Sequence, residues 1–195
     1  MEELVDKIKF VLSPLLIALN RHDSKNELNY CVGGNIIIDS VISENITGPI
    51  NIYLSDPKKE NVLYKVLGDI GYSLEKMINF NRSFRSFNNQ IDVYFLPLTP
   101  EQYVHNSEIT IESGVLDNNF NFYCRPEFFV DLQKKNINVV NLNEPASDII
   151  NRINILKDKG FKYLKSSEKI ITSFNRGGEY KKLLSPISNS SILTF

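Results

Sequence analysis

Leu4, Val5, Ile8, Val11 and Leu12 recur three or four positions apart, the spacing that places side chains on one face of a helix. The pattern predicts a helix over residues 2–20. Ser13-Pro14 is expected to restart it, with serine as N-cap and proline at the first helical position. Polar residues from Arg21 to Asn26 end it. The period then shortens: Leu28, Tyr30 and Val32 alternate and read as a strand, stopped by Gly33-Gly34. Asn35 is placed to cap a short helix through Ile38 and Val41, and Thr47-Gly48-Pro49 is a turn signal. Ile50 to Leu54 reads as a second strand. Asp56-Pro57 opens a helix over Val62, Leu63, Val66, Leu67 and Ile70, with Gly71 at its C-terminal end.

Two strands are predicted near Ser73–Phe80 and Phe84–Phe87, followed by a turn at Asn88-Asn89. Ile91, Val93 and Phe95 alternate with Asp92 and Tyr94 as a further strand. Thr99-Pro100-Glu101 starts a short helix to about Val104. Ile109–Ile111 and Val115–Leu116 are apolar, and Asp117-Asn118-Asn119 turns into Phe120–Cys124 as a hairpin. Pro126 opens a helix through Leu132, and Ile137–Val140 is a short extended run. Pro145 opens a helix whose stripe is Ile149, Ile150, Ile153 and Leu156, closed by Gly160. The pattern weakens beyond Ser166, where Arg176-Gly177-Gly178 and the serine-rich end read as an extended tail. The expected organisation is one α/β domain over residues 1–165 and a C-terminal extension over 166–195, a candidate for docking on a protein partner.

Composition narrows the classes. The chain has 195 residues, and 42% of them are apolar, enough for one sizeable core. Lys and Arg number 22 against 23 Asp and Glu, a net charge of −1. No general attraction to nucleic acid or acidic lipid follows, so any such contact requires a local patch. Cys31 and Cys124 lie in apolar runs and read as buried free thiols. No signal peptide is visible, and no apolar run approaches the ~18 residues of a membrane span. A reducing cytoplasm is the expected compartment. Abundant Asn, Ile and Lys suggest an AT-rich genome, such as a low-GC bacterium or one of its phages; for a phage, host cytoplasm or virion is the expected location.

Gly33-Gly34 at a strand-to-helix turn carries the sharpest chemical signal. Glycines there let backbone N–H groups approach a phosphate, with a helix dipole behind them. A tight turn that merely needs glycine gives the same dipeptide. Phe80-Asn81-Arg82-Ser83-Phe84-Arg85-Ser86-Phe87 interleaves aromatics with arginines, as single-strand binders do. A strand with core phenylalanines and solvated arginines gives the same run. His22 and His105 belong to no metal-ligand spacing, and neither a phosphate-loop motif nor a nucleophile elbow occurs.

Tyr30-Cys31-Val32-Gly33-Gly34, a short helix, Gly48-Pro49-Ile50-Asn51-Ile52-Tyr53-Leu54 and a later strand Gln90-Ile91-Asp92-Val93-Tyr94-Phe95 together resemble the head of the nucleotidyltransferase superfamily. That superfamily includes CCA-adding enzymes, poly(A) polymerases and phage-encoded relatives. The likeness extends through Arg125-Pro126-Glu127-Phe128-Phe129-Val130-Asp131-Leu132 to Lys159-Gly160-Phe161, spanning about residues 28–161. It implies a small mixed sheet with flanking helices. It also implies a nucleotide held by Gly33, Gly34 and Asn35, and Mg²⁺ held by an Asp-x-Asp pair and a third aspartate. The sequence departs from that signature. Pro49 and Asn51 fall where the paired aspartates belong, and only Asp92 keeps a carboxylate as metal ligand or catalytic group. Asp39, Glu44, Asp56 and Glu60 are nearby acids that could substitute only in a rearranged site. The expected function is therefore a catalytically degenerate nucleotidyltransferase-like protein, a binding or structural module for a nucleotide, an RNA or a protein. The alternative is an active, Mg²⁺-dependent nucleotidyltransferase that transfers a nucleoside monophosphate to an RNA, protein or small-molecule hydroxyl. A third reading is a structural component of a larger assembly.

Overall fold

A computed structural model describes residues 1–25, 27–42, 49–78, 81–87, 89–141, 146–164, 167 and 192–195. Helix α1 runs unbroken from Glu2 to His22, with Pro14 inside it. The expected restart at Ser13-Pro14 does not occur, because the apolar stripe stays in phase across the proline. Val5, Ile8, Leu12, Leu16 and Leu19 are all buried on one side. Proline cannot donate to the carbonyl four residues back. That carbonyl belongs to Phe10, whose residue is 79% exposed, so water can satisfy it.

Strand β1 (Tyr30–Gly33) leads into α2 (Asn35–Ile42), then β2 (Ile50–Leu54). Asp56 caps a single turn at Pro57–Lys59, accepting from the Lys58 N–H at 3.0 Å, before α3 (Glu60–Asp69). Gly71 takes φ +89°, as the expected C-terminal turn requires. The hairpin β3 (Ser73–Ile78) and β4 (Asn81–Arg85) follows, then β5 (Gln90–Phe95). The second hairpin strand begins earlier than expected, since Asn81, Arg82 and Ser83 already pair with β5. Thr99 and Gln102 cap α4 (Pro100–Asn106) reciprocally.

Apolar Ile109–Ile111 is not a strand. Thr110–Glu112 form one 3₁₀ turn, and all three residues are buried. Strands β6 (Val115–Asp117) and β7 (Phe122–Cys124) make the expected hairpin. Helix α5 (Phe128–Lys134), β8 (Asn136–Ile137), α6 (Ala146–Asp158) and β9 (Lys162–Tyr163) follow. The last described strand, β10 (Leu193–Thr194), pairs with β7, and Phe195 packs edge-on against Phe129.

The main sheet has eight strands in the order β10-β7-β6-β1-β2-β5-β4-β3, and β8 and β9 form a separate parallel pair. All neighbours in the main sheet are antiparallel except β2 and β5, joined through α3 and the β3–β4 hairpin. The large core lies on one face, where α1, α2, α3, α5 and α6 cover Leu116, Val32, Ile52 and Val93. Each such side chain, fully buried, contributes roughly 1.5–3 kcal/mol. A smaller cluster on the opposite face joins Cys31, Val104 and Val115 with Tyr53, Tyr103 and Tyr123 under α4. No helix among the described residues is long and apolar enough to cross a membrane.

Candidate functional site

Strand register decides which side chains share a surface. Val115, Gly33, Asn51, Asp92 and Ser83 are successive partners across β6, β1, β2, β5 and β4. Two residues along, Asp117, Cys31, Tyr53, Tyr94 and Asn81 form a second row. Side chains two apart on a strand point the same way, so both rows occupy the face opposite the main core. Asn51 and Asp92, far apart in sequence, are direct neighbours on parallel strands. Gly33 lies directly beside Asn51, and Gly34 and Asn35 follow at the start of α2. Gly33, Asn51 and Asp92 therefore lie in one row, with Gly34 against Asn51.

Both glycines are required by contacts within the protein. A Cβ on Gly33 would lie 2.7 Å from Val115 Cγ1 and 3.3 Å from the Gly114 carbonyl oxygen. Gly34 has φ +75°, a conformation that side chains rarely adopt, and a Cβ there would lie 2.7 Å from Asn51 Nδ2. The Asn51 amide thus occupies the approach that the turn leaves open. Asn35 begins α2, but its side chain does not cap the helix: its Oδ1 is buried without a hydrogen-bond partner. Asn51 Oδ1 is likewise buried and unpartnered, while the Asn51 amide N–H donates to the Tyr53 hydroxyl oxygen.

Asp92 is 8% exposed. Gln90 Nε2 donates to its Oδ1 at 2.9 Å, and Arg85 donates in turn to Gln90 at 3.2 Å. Arg85 also pairs with Glu75 at 3.0 Å, tying the carboxylate to the β3–β4 hairpin. Beside this row, Tyr53 stacks on Tyr94 (centroids 5.4 Å apart) and leans on Tyr103 (4.5 Å). The Tyr103 hydroxyl donates to Tyr53 at 3.1 Å. Burial pushes both hydroxyls well above the ordinary phenol range, so both stay neutral. These tyrosines and Gln90 were absent from the expected site. Tyr53, Tyr94 and Gln90 lie two residues from Asn51 or Asp92 on the strands, the signal that places them there; Tyr103 enters from α4.

The nearby acids are committed elsewhere. Asp39 is buried and ion-paired with Lys159. Asp56 caps the Pro57 turn, and Glu60 accepts from Arg82 at 2.9 Å. Glu44 lies outside the described residues. Arg152 bridges buried Glu108 and Glu112, at 2.9 and 3.5 Å. In the aromatic–arginine run, Phe84 is buried, Arg82 packs over Phe95 and pairs with Glu60, and Phe87 is fully exposed. Phe80 lies outside the described residues. His22 faces Asp69 at the surface.

The fold matches solved structures of known enzymes. A CCA-adding enzyme in an apo form superposes with a TM-score of 0.69 at 16% identity, covering 91% of this chain and 45% of that one. The Thermotoga maritima CCA-adding enzyme complexed with tRNA gives 0.65 at 17% identity, covering 87% and 43%. A tRNA nucleotidyltransferase complexed with a primer tRNA and an incoming ATP analogue gives 0.65 at 13%, covering 82% and 50%. The chain has the nucleotidyltransferase fold of the CCA-adding enzymes. It spans half or less of the length of these three structures. No family model matches its sequence, and no curated protein does.

The residues present do not fit a two-metal centre on this scaffold. Mg²⁺ binding relies on carboxylates, water and substrate phosphates. Pro49 offers no ligand atom, Asn51 offers a neutral amide, and Asp92 is the one carboxylate in the row. Among the described residues, no group of three or more His, Cys, Asp and Glu side chains is placed to hold a metal ion.

Proposed function

We propose that this protein is a nucleotidyltransferase-fold module that binds a partner without transferring nucleotides. The observation that carries this reading is the lateral pair Asn51–Asp92, which brings one carboxylate where the chemistry needs at least two. Two further features support it. The Asn51 amide fills the open side of Gly34. Strands β1, β2 and β5 and helices α2 and α4 contain no Lys or Arg to neutralise a triphosphate, and the two arginines of β4 are ion-paired with Glu60 and Glu75. A nucleotide, an RNA end or a protein remains the class of partner, and the C-terminal extension, residues 166–195, is a second candidate contact for a protein.

Calorimetric titration of the purified protein with each of the four NTPs, with and without Mg²⁺ or Mn²⁺, tests the reading alongside labelled-nucleotide turnover. The expected result is no turnover and no metal-dependent binding. Metal-dependent turnover that disappears in Asp92→Ala would overturn it in favour of an active transferase with displaced ligands.

A further inference from the structure

The main sheet ends at an open edge. Strand β3 is last in the order, and among the described residues only β4 pairs with it. All six of its residues are exposed, including Leu74 at 41%, Met77 at 57% and Ile78 at 49%. Such an edge presents a row of unpaired N–H and C=O groups to another strand. Lysines and bulges often blunt an edge, and β3 carries both, so their placement decides whether it can pair.

Register fixes the face that each side chain takes. Leu74 is opposite Phe84, which lies in the main core, and Met77 is opposite Arg82, whose other neighbour Val93 is in that core too. Lys76 is opposite Ser83 and Ile78 is opposite Asn81, the neighbours of Asp92 and Tyr94 on the other face. The register shifts between Leu74 and Lys76, which leaves Glu75 as the extra residue. Glu75 accepts from Arg85, itself opposite Gln90, and Gln90 donates to Asp92, so Glu75 shares the face of Lys76. Ser73, opposite Arg85, is on that face as well.

A second copy of β3 laid antiparallel along this edge matches the order of faces over the whole strand. Leu74 then meets Met77 of the second copy on the core side. Glu75 meets its Lys76, and Ser73 meets its Ile78, on the other side. A two-fold axis between Glu75 and Lys76 makes each contact twice. Shifting the copy by one residue opposes Glu75 to Glu75 or Lys76 to Lys76 and sets side chains of different faces against each other. Without the bulge, Leu74 and Met77 would point to opposite faces, and the matching register could not form.

We propose that β3 pairs antiparallel with β3 of a second copy, joining two eight-stranded sheets into one across a two-fold axis. Main-chain hydrogen bonds hold the strands, Leu74 and Met77 cover each other, and two Glu75–Lys76 pairs cross the axis. An ionised carboxylate accepts at about four sites, so Glu75 can hold Arg85 and the second copy's lysine together. A six-residue strand is only about 20 Å long, so the dimer forms and dissociates with concentration. The inference is independent of whether the candidate site transfers nucleotides.

Sedimentation equilibrium of the full chain over a concentration series tests it, with hydrogen exchange of the β3 amides measured alongside. The native protein should dimerise, and its β3 amides should become protected as the dimer fills. Lys76→Glu places glutamates opposite each other twice and should weaken the dimer roughly tenfold or more. The swap Glu75→Lys with Lys76→Glu restores opposite charges across the axis and should recover most of that loss. Thermal melts establish that both variants are folded. A dimer indifferent to Lys76→Glu, or a swap that recovers nothing, would overturn the pairing. A monomer at every concentration would overturn it too: protected β3 amides would then put another segment of the same chain on the edge, and freely exchanging ones would leave the edge to a different protein.

Discussion

Asn51→Asp would rebuild half of the missing carboxylate pair with almost no change in shape, and its cost follows from the register. Asn51 and Asp92 are direct partners on neighbouring parallel strands. Such strands lie about 4.8 Å apart, so two carboxylates there would sit roughly 5 Å from each other. At an effective permittivity of about 20, two negative charges at that distance repel by about 3 kcal/mol. For a domain of this size, about 2–4 °C per kcal/mol, the variant should melt about 6–12 °C below the native protein near neutral pH. The sign is fixed by linkage. Repulsion raises the folded carboxyl pKa above its unfolded value of about 4, so the penalty is absent below that pH, where the pair shares a proton. It grows as pH rises from about 4 to about 7. Mn²⁺ bridging the new pair should recover part of the loss in the variant and leave the native protein unaffected. Differential scanning fluorimetry across pH, with and without Mn²⁺, reads both effects. A penalty of equal size at about pH 4 and at neutrality would refute the lateral pairing of these side chains.

Gly34→Ala combines a left-handed backbone cost of about 1–2 kcal/mol with a contact 2.7 Å from Asn51 Nδ2; urea unfolding should show that adding Asn51→Ala removes the contact part and leaves the backbone part. Lys159→Met leaves Asp39, 4% exposed, as a buried charge without its cation, and should cost about 3–5 kcal/mol; Asp39→Asn in the same background should recover most of it. Burial pushes the Cys31 and Cys124 thiols up to about 12. At about pH 9 roughly one thiol in a thousand is then thiolate, so a disulfide-exchange reagent should label neither cysteine until denaturant is added. Rapid labelling of the folded protein would contradict their burial.

Periodicity and turn chemistry were sufficient to read most elements from the sequence. The stripe of α1, the alternation of β5 and the Thr99-Pro100 start of α4 are local patterns, each written within one helix face, strand or turn; Pro145, expected to open α6, lies outside the described residues. The boundaries that moved are those where tertiary contacts decide. Pro14 stays helical because the buried stripe continues on both sides of it. The run Ile109–Ile111 read only as apolar; Thr110 is fully buried and its hydroxyl donates to Asp131 at 2.7 Å, which the 3₁₀ turn allows. The site was legible where a motif marked it, at Gly33-Gly34 and Asp92. Its α4 wall was not, because Tyr103 enters through packing on Tyr53, which leaves no spacing rule. The charge of Asp39 was legible; its burial against Lys159, 120 residues away, was not.

The same register ties the neutral side chain at position 51 to the contact at Gly34. A carboxylate at position 51 beside Asp92 is tolerable only with a cation between them, because the repulsion is a large fraction of a typical domain's stability. A neutral amide removes that requirement and gains a donor for the Tyr53 hydroxyl. The Asn51 amide lies against Gly34, and Tyr53 stacks on Tyr94 and accepts from Tyr103. Each of these contacts stabilises the others, so no single substitution reopens the site. Asn51→Asp alone supplies a charge without the space, and Tyr53→Ala alone supplies space without the charge. On the proposed reading, metal-dependent chemistry would need a carboxylate at position 49, another at position 51, and a smaller side chain at position 53 in one molecule. On the proposed reading, that requirement distinguishes a binding module from an enzyme missing one residue.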